Sequence, residues 1–147
     1  MYLSVVPPNL ISALWPKAAP FLCAALMSGG ANYYDMSDIR AFVDQGKMTL
    51  WVLVGDECGV AGAGTTEIVQ YPKRRVASVV LFGADPGLKD TWLPKLEAVE
   101  RWASEMGCAD LKIGGRMGWK PLLPEYRVVG IILVKELKND AKLVVAG

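Results

Sequence analysis

The 147 residues of this sequence include no histidine, the side chain most often used for acid–base catalysis and metal binding. Without an imidazole, a Ser-His-Asp triad, a Cys-His pair and a His-containing zinc site are all excluded. Cys23, Cys58 and Cys108 are too few for a four-cysteine zinc site, so we expect no metal. Their odd number and wide spacing argue against a disulfide framework and favour a reducing compartment.

One group of neighbouring side chains could bind an anion. Arg116, Trp119 and Lys120 fall in one predicted turn, where an Arg-Lys pair beside an indole could hold a phosphate or a nucleotide ring. The simpler alternative is that Trp119 packs against the end of the sheet while the two charges are solvated, since aromatic residues dominate ordinary cores.

The bulk composition limits the classes of partner. Sixteen basic and fifteen acidic residues give a net charge of +1, which offers no attraction to nucleic acid or to an anionic membrane. We expect no signal peptide, because Met1–Leu10 has no basic segment before an apolar core. The apolar run Ala18–Met27 is too short to span a bilayer and contains Pro20, so we interpret it as part of a buried helix.

Hydrophobic periodicity, caps and turn residues predict the elements that would position these groups. In chain order they are a strand or arm at Met1–Val6, a helix from Asn9 or Ser12 toward Met27 that Pro20 should kink or split, a helix Asp38–Gln45 capped by Ser37, strands Met48–Val54, Val60–Gln70 and Arg75–Gly83, a helix Thr91–Met106, a strand Ala109–Ile113 and a last strand Val128–Leu137. This order predicts an α/β (α+β) fold with a mixed, mainly antiparallel central sheet flanked by helices. Residues 1–137 would form one domain, and residues 138–147 a tail or an extra strand.

The order of elements, together with WLPKLEAVERWASEMGCADLKI and the closing GW, PEYR and LVKEL segments, resembles the GNAT acetyltransferase fold over residues 10–137. The segments TEIVQYP, WLPKLEAVERWASEMGC and GRMGWKPLLPEYR also resemble small GNAT-like proteins of bacteriophages and prophages. This second resemblance implies a protein of the host cytoplasm or of the virion.

The resemblance implies where coenzyme A phosphates would bind. GNAT enzymes hold them with an Arg/Gln-x-x-Gly-x-Gly/Ala loop at a helix N-terminus, where backbone amides attract anions. Aligned on this chain, the pattern puts Gly87 at the Arg/Gln position and Asp90 and Trp92 where small residues are expected. Asp90 would repel a phosphate, and Trp92 would fill the space that glycine leaves open. Gly83 and Gly87 remain candidate cofactor-binding residues, with ordinary turn glycines as the alternative.

The resemblance also implies catalytic positions. GNAT enzymes often carry a glutamate base on the strands near the bond that forms, and a tyrosine acid before the last strand. The third strand has no acid, so Glu67 on the preceding strand is the candidate carboxylate, with an exposed strand residue as the alternative. The tyrosine position falls near Pro121–Leu122, which leaves Tyr126 as the candidate acid or, alternatively, a core residue.

These departures favour a non-catalytic, phage-encoded GNAT-like protein that needs no cofactor and acts through protein contacts, as a virion component or accessory factor. The alternative is an N-acetyltransferase that transfers an acyl group from acetyl-CoA to an amine, with Arg116 and Lys120 holding phosphates. Lys142–Gly147 (KLVVAG) is a candidate docking strand for a protein partner or a second copy, unless it is a further strand of the domain or a frayed tail.

Overall fold

A single five-stranded sheet forms the centre of the protein in a computed structural model that describes residues 1–29, 33–88, 91–114 and 117–138. The strands lie side by side in chain order: β1 Tyr2–Val5, β2 Thr49–Val54, β3 Val60–Gln70, β4 Arg75–Ala84 and β5 Asp110–Ile113. The first four pair antiparallel, and β5 runs parallel to β4 after a crossover. The predicted mixed, mainly antiparallel sheet is therefore confirmed.

Helices cover both faces of this sheet. Helices α1 (Ile11–Ser28) and α2 (Met36–Asp44) pack on one face, and α3 (Leu96–Glu105) packs on the other. Alternate residues of β2 serve the two cores: Leu50 and Val52 face α1 and α2, whereas Trp51 and Leu53 face α3. Burial on both faces explains why this strand is a continuous apolar run in the sequence.

The start of α2 differs from the prediction by two residues. Asp35, not Ser37, caps the helix: its carboxylate accepts from the Asp38 amide (2.9 Å), and the Asp38 carboxylate accepts from the Asp35 amide (3.0 Å). The Ser37 hydroxyl donates to Asp35 instead. Two hydrogen bonds lower the pKa of the Asp35 carboxyl: the larger effect comes from the Ser37 hydroxyl and the smaller from the Asp38 amide.

Helix α1 continues through Pro16 and Pro20 without the predicted split. The 21-residue stretch Pro8–Ser28, with a mean hydropathy of 1.5, is long and apolar enough to cross a membrane by those criteria alone. A core helix can pass the same test, and Ala18 and Leu22 are fully buried against the sheet. The expectation of no membrane partner stays a prediction.

The predicted last strand is wrong in this structure. Residues 128–137 form no strand, and the side chains of Ile131 and Ile132 are 80% and 91% exposed. Of the predicted C-terminal region 138–147, only Lys138 lies within the described residues.

Thr65 and Thr66 are buried neighbours that point to opposite faces of β3, beside a bulge at Val80 of β4. The Trp51 indole nitrogen donates to the Thr66 hydroxyl oxygen at 3.0 Å. The Thr65 hydroxyl has no hydrogen-bond partner in the part of the chain that the structure describes. The two threonines therefore give a matched test of what a buried hydrogen bond contributes here.

We predict opposite effects for Thr65→Val and Thr66→Val on the free energy of unfolding. Thr66→Val leaves the buried Trp51 N–H without an acceptor and should cost about 1–3 kcal/mol. Thr65→Val removes an unpaired hydroxyl at nearly constant volume, so it should leave stability unchanged or raise it. Urea unfolding curves compared at equal slope check this, and equal losses in both variants would contradict the assignment.

Candidate active site at the separation of two strands

Strands β4 and β5 separate part-way along β4, at one edge of the sheet. Their parallel pairing runs from Val76–Asp110 to Val79–Ile113, where β5 ends while β4 continues to Ala84. Residues 80–84 are here called the β4 free edge. From Leu81 to Ala84 they pair with β3 on one side, and residues 80–84 pair with no strand on the other side among the described residues. Backbone donors and acceptors on that side are left for another partner.

Three aromatic rings line the α3 side of the β4 free edge. Phe82 stacks on Trp92 with ring centroids 4.0 Å apart, and Trp119 meets Trp92 edge to face at 5.4 Å. Trp92 is 6% exposed and belongs to the α3-side core. We call these three rings the aromatic wall. Trp92 thus fills space, as its size led us to expect. Trp119 packs against the core, as in the simpler of the two interpretations given for Arg116, Trp119 and Lys120.

The turn before α3 uses several of its described amides internally. Pro94 has no amide hydrogen, and the helical residues begin with a short 3-10 turn, Leu93–Lys95, before Leu96. Three other amides donate to carbonyls of the same turn: Leu88 to Asp85 (2.8 Å), Thr91 to Leu88 (3.0 Å) and Lys95 to Trp92 (2.8 Å). A phosphate that used these three amides would have to displace their bonds. The α-helix therefore begins at Leu96, after the 3-10 turn, and not at the predicted Thr91.

Gly83 and Gly87 have different surroundings. A Cβ atom built on Gly83 would lie 2.5 Å from the backbone oxygen of Phe21, so Gly83 lets β4 approach the backbone of α1 closely. Gly87, in the 3-10 turn Pro86–Leu88, would place a Cβ in open space. A Cβ atom built at either glycine would not contact Trp92 or Trp119 of the aromatic wall. Asp90, the predicted repulsive charge, lies outside the described residues.

Glu67 and Tyr126 are not brought together. Thr66 and its cross-strand partner Val79 belong to the α3 side, because Thr66 bonds Trp51 and Val79 packs in the α3-side core. Neighbouring strand residues point to opposite faces, so Glu67 and its partner Ser78 face α1 and α2. Tyr126 packs in the α3-side core.

The Tyr126 hydroxyl is hydrogen-bonded to a carboxylate on the neighbouring helix. It donates to Glu100 Oε2 of α3 at 2.5 Å. The pKa of Tyr126 is raised, chiefly by partial burial of the phenol and secondly by its hydrogen bond to Glu100. A phenol held this way is a poor proton donor to a substrate. Glu100 lies four residues after Leu96, a spacing that puts both on one helix face and could have indicated an inward position.

The cationic pair is only partly described. Lys120 lies half-buried in the 3-10 turn Met117–Leu122, next to Trp119 of the aromatic wall. Arg116 lies outside the described residues, as does the predicted docking strand Lys142–Gly147. Their roles therefore stay predictions.

Solved structures share this architecture over nearly the whole chain. A mutant of the BH1408 protein of Bacillus halodurans matches with a TM-score of 0.66 and 12% identity, covering 94% of this chain and 100% of the other. An acetyltransferase of Trypanosoma brucei matches with a TM-score of 0.64 and 12% identity, covering 92% and 98%. Glucosamine-6-phosphate N-acetyltransferase of Arabidopsis thaliana gives 0.64 and 13%, covering 92% and 97%. The chain has the GNAT acetyltransferase fold.

At this level of identity the likeness of the GNAT-like chain to these structures concerns the fold alone. No protein-family model matches the sequence, and no curated protein matches it. The resemblance to GNAT proteins is thus confirmed as a fold, while the bacteriophage type has no support from these comparisons.

We predict that Gly83→Ala destabilises the protein and Gly87→Ala does not. The new methyl at Gly83 meets backbone, which cannot move away as a side chain can, so the loss should be about 1–3 kcal/mol. Gly87→Ala enters open space and should be neutral or slightly stabilising. Urea unfolding of both variants is the measurement. Equal stability of the two would show that Gly83 has no packing role.

We also predict that Tyr126 makes stability depend on alkaline pH. Because folding raises its pKa, the protonated phenol favours the folded state; this contribution is full below the unfolded pKa near 10 and is lost as pH rises through the folded pKa. Tyr126→Phe should cost about 1 kcal/mol at neutral pH and flatten the decline above about pH 10. Melting temperatures from pH 7 to 11 check this. Tyr71→Phe, at an exposed hairpin residue, is the control and should change neither quantity.

Proposed function

We propose that this chain is an N-acyltransferase that moves an acyl group from an acyl-CoA to an amine. The observation that carries the proposal is the β4 free edge beside the point where β5 ends. An extended acyl arm containing amide groups can pair with such an edge as an added strand does. The acetyltransferases among the matching structures favour this function over a non-catalytic one.

The phosphate end of the coenzyme does not fit the turn before α3 in the described residues. The amides of Leu88, Thr91 and Lys95 already have acceptors there, and Pro94 has no amide hydrogen to donate. We therefore assign the phosphates to the cations of the following turn, Arg116 and Lys120, of which Lys120 adjoins the aromatic wall. Cations that replace an amide cradle make binding depend more strongly on salt concentration.

The chemistry needs little from the protein beyond positioning. The acyl donor supplies a thioester, whose carbonyl carbon forms a bond to the amine nitrogen while the carbon–sulfur bond breaks and the amine proton passes to the thiolate. Holding the reactants in line accounts for much of such a rate enhancement. Backbone amides of the β4 free edge are placed to polarise a carbonyl. Glu67 faces away, and Tyr126 is bonded to Glu100, so neither is assigned as catalytic.

A second candidate function is favoured by the occupied turn and the aromatic wall. Here the fold is kept as a scaffold, with no coenzyme bound, and the protein acts through contacts with other proteins. The sequence resemblance to phage proteins would make it a virion component or an accessory factor in the host cytoplasm. Such a scaffold needs no open phosphate site. Trp92 fills the space there, and the amides of Leu88, Thr91 and Lys95 are bonded within the chain.

Acetyl-CoA titration separates the two functions. For the acyltransferase we expect a ligand at a hundredfold excess over its dissociation constant to add about 2.7 kcal/mol of stability, a rise of about 5–10 °C in melting temperature. Arg116→Ala and Lys120→Ala should weaken binding at least about tenfold, since each removes a charge-assisted contact worth ~1.5–3 kcal/mol. Lys17→Ala, an exposed charge on α1, is the matched control and should bind normally.

An unchanged melting temperature at millimolar acetyl-CoA would reject the acyltransferase and leave the scaffold function as the remaining candidate. Binding that Arg116→Ala and Lys120→Ala retain as fully as Lys17→Ala would reject the assignment of the phosphates to these two cations.

A further inference from the structure

One segment of the chain has the composition of a strand and lies uncovered. Residues 128–134 (VVGIILV) carry no charge, and their apolar side chains are 54–91% exposed. The two alternating sets, Val129, Ile131 and Leu133 against Val128, Ile132 and Val134, are both apolar. This pattern is typical of a strand covered on both faces, and such an exposed apolar stretch marks an interaction site.

The same molecule presents a strand edge without a partner. β5 is the last strand of the described sheet and pairs only with β4. Leu111 and Ile113 of β5 pack at the border of the α3-side core and stay half-exposed, while Asp110 and Lys112 face outward. A strand added at this edge would pair the free backbone groups and finish the burial of Leu111 and Ile113.

The chain just before the segment is fixed to α3. Leu123 is buried in the α3-side core, and the Tyr126 hydroxyl bonds Glu100. From this fixed point residues 128–137 run without pairing to the β5 of their own chain. Within the described residues, each copy therefore offers one unpaired apolar segment and one unpaired strand edge.

We propose that two copies of this chain exchange these strands, so that residues 128–137 of each lie along β5 of the other. Because the exchange is reciprocal, the two copies are related by a two-fold axis and the assembly closes at two. The sequence suggested Lys142–Gly147 as the docking strand for a partner or a second copy. In this proposal the partner is a second copy, and the docking segment is residues 128–137. The exchange holds under either candidate function, because it needs no ligand. It would also extend the sheet beside the β4 free edge.

The test starts with the mass of the full-length protein in solution. We expect analytical ultracentrifugation to give twice the 15.9 kDa of one chain. Hydrogen exchange should show protection of the β5 amides that do not bond to β4. A monomer at all concentrations tested would overturn the proposal, including a monomer whose residues 128–137 are protected by pairing within the chain.

A proline variant tests whether backbone pairing holds the dimer. Ile132→Pro removes an amide donor from the segment, and since Ile132 is 91% exposed it should leave the monomer fold intact, as near-UV circular dichroism will show. We expect a monomer with unprotected β5 amides. Ile132→Val keeps the donor and the strand propensity and should remain a dimer. A dimer that survives Ile132→Pro, or one that leaves the β5 edge unprotected, would overturn the exchange.

Discussion

Burial of β2 on both faces is the constraint on which the rest of the structure depends. Leu50 and Leu53 are 1% and 0% exposed, yet they point to opposite cores. A strand buried this way cannot be stable without a helical layer on each side, so α1, α2 and α3 must all be present for the sheet to persist. Trp51 joins the layers most directly: it meets Trp102 of α3 edge to face at 5.6 Å and donates to Thr66 of β3.

The candidate site follows from the same constraint. Covering the α3 side near the end of β4 requires large side chains, because α3 itself begins only at Leu96. Trp92 and Trp119 supply that cover by packing around Phe82. These tryptophans leave no room for the open glycine-rich turn that a phosphate would use. Core packing and anion binding therefore compete for the same few residues. The unpaired backbone of residues 80–84 is the part of the opening that packing leaves free.

Local signals were enough to predict most of the elements. β3 has the predicted bounds, because turn residues flank it at Gly55–Gly59 and Tyr71–Arg74, and Gly46 and Gly107 end helices with positive φ angles of 73° and 80°. What failed depended on contacts distant in sequence. The Tyr126–Glu100 bond spans 26 residues and has no local signature. The last strand failed because an apolar run has the same composition whether or not the chain itself provides its neighbour.

The Glu100–Tyr126 bond and the buried Leu123 also set the mechanical limit of the folded unit. Everything that follows in the described chain is exposed, so a force applied through the C-terminal segment would reach the domain at Tyr126 and act on α3. Helix α3 lies against the α3-side core along its apolar stripe, and it would bear that force before β5 does. If a second copy holds residues 128–137, strain in that segment would therefore reach α3 of its own chain first.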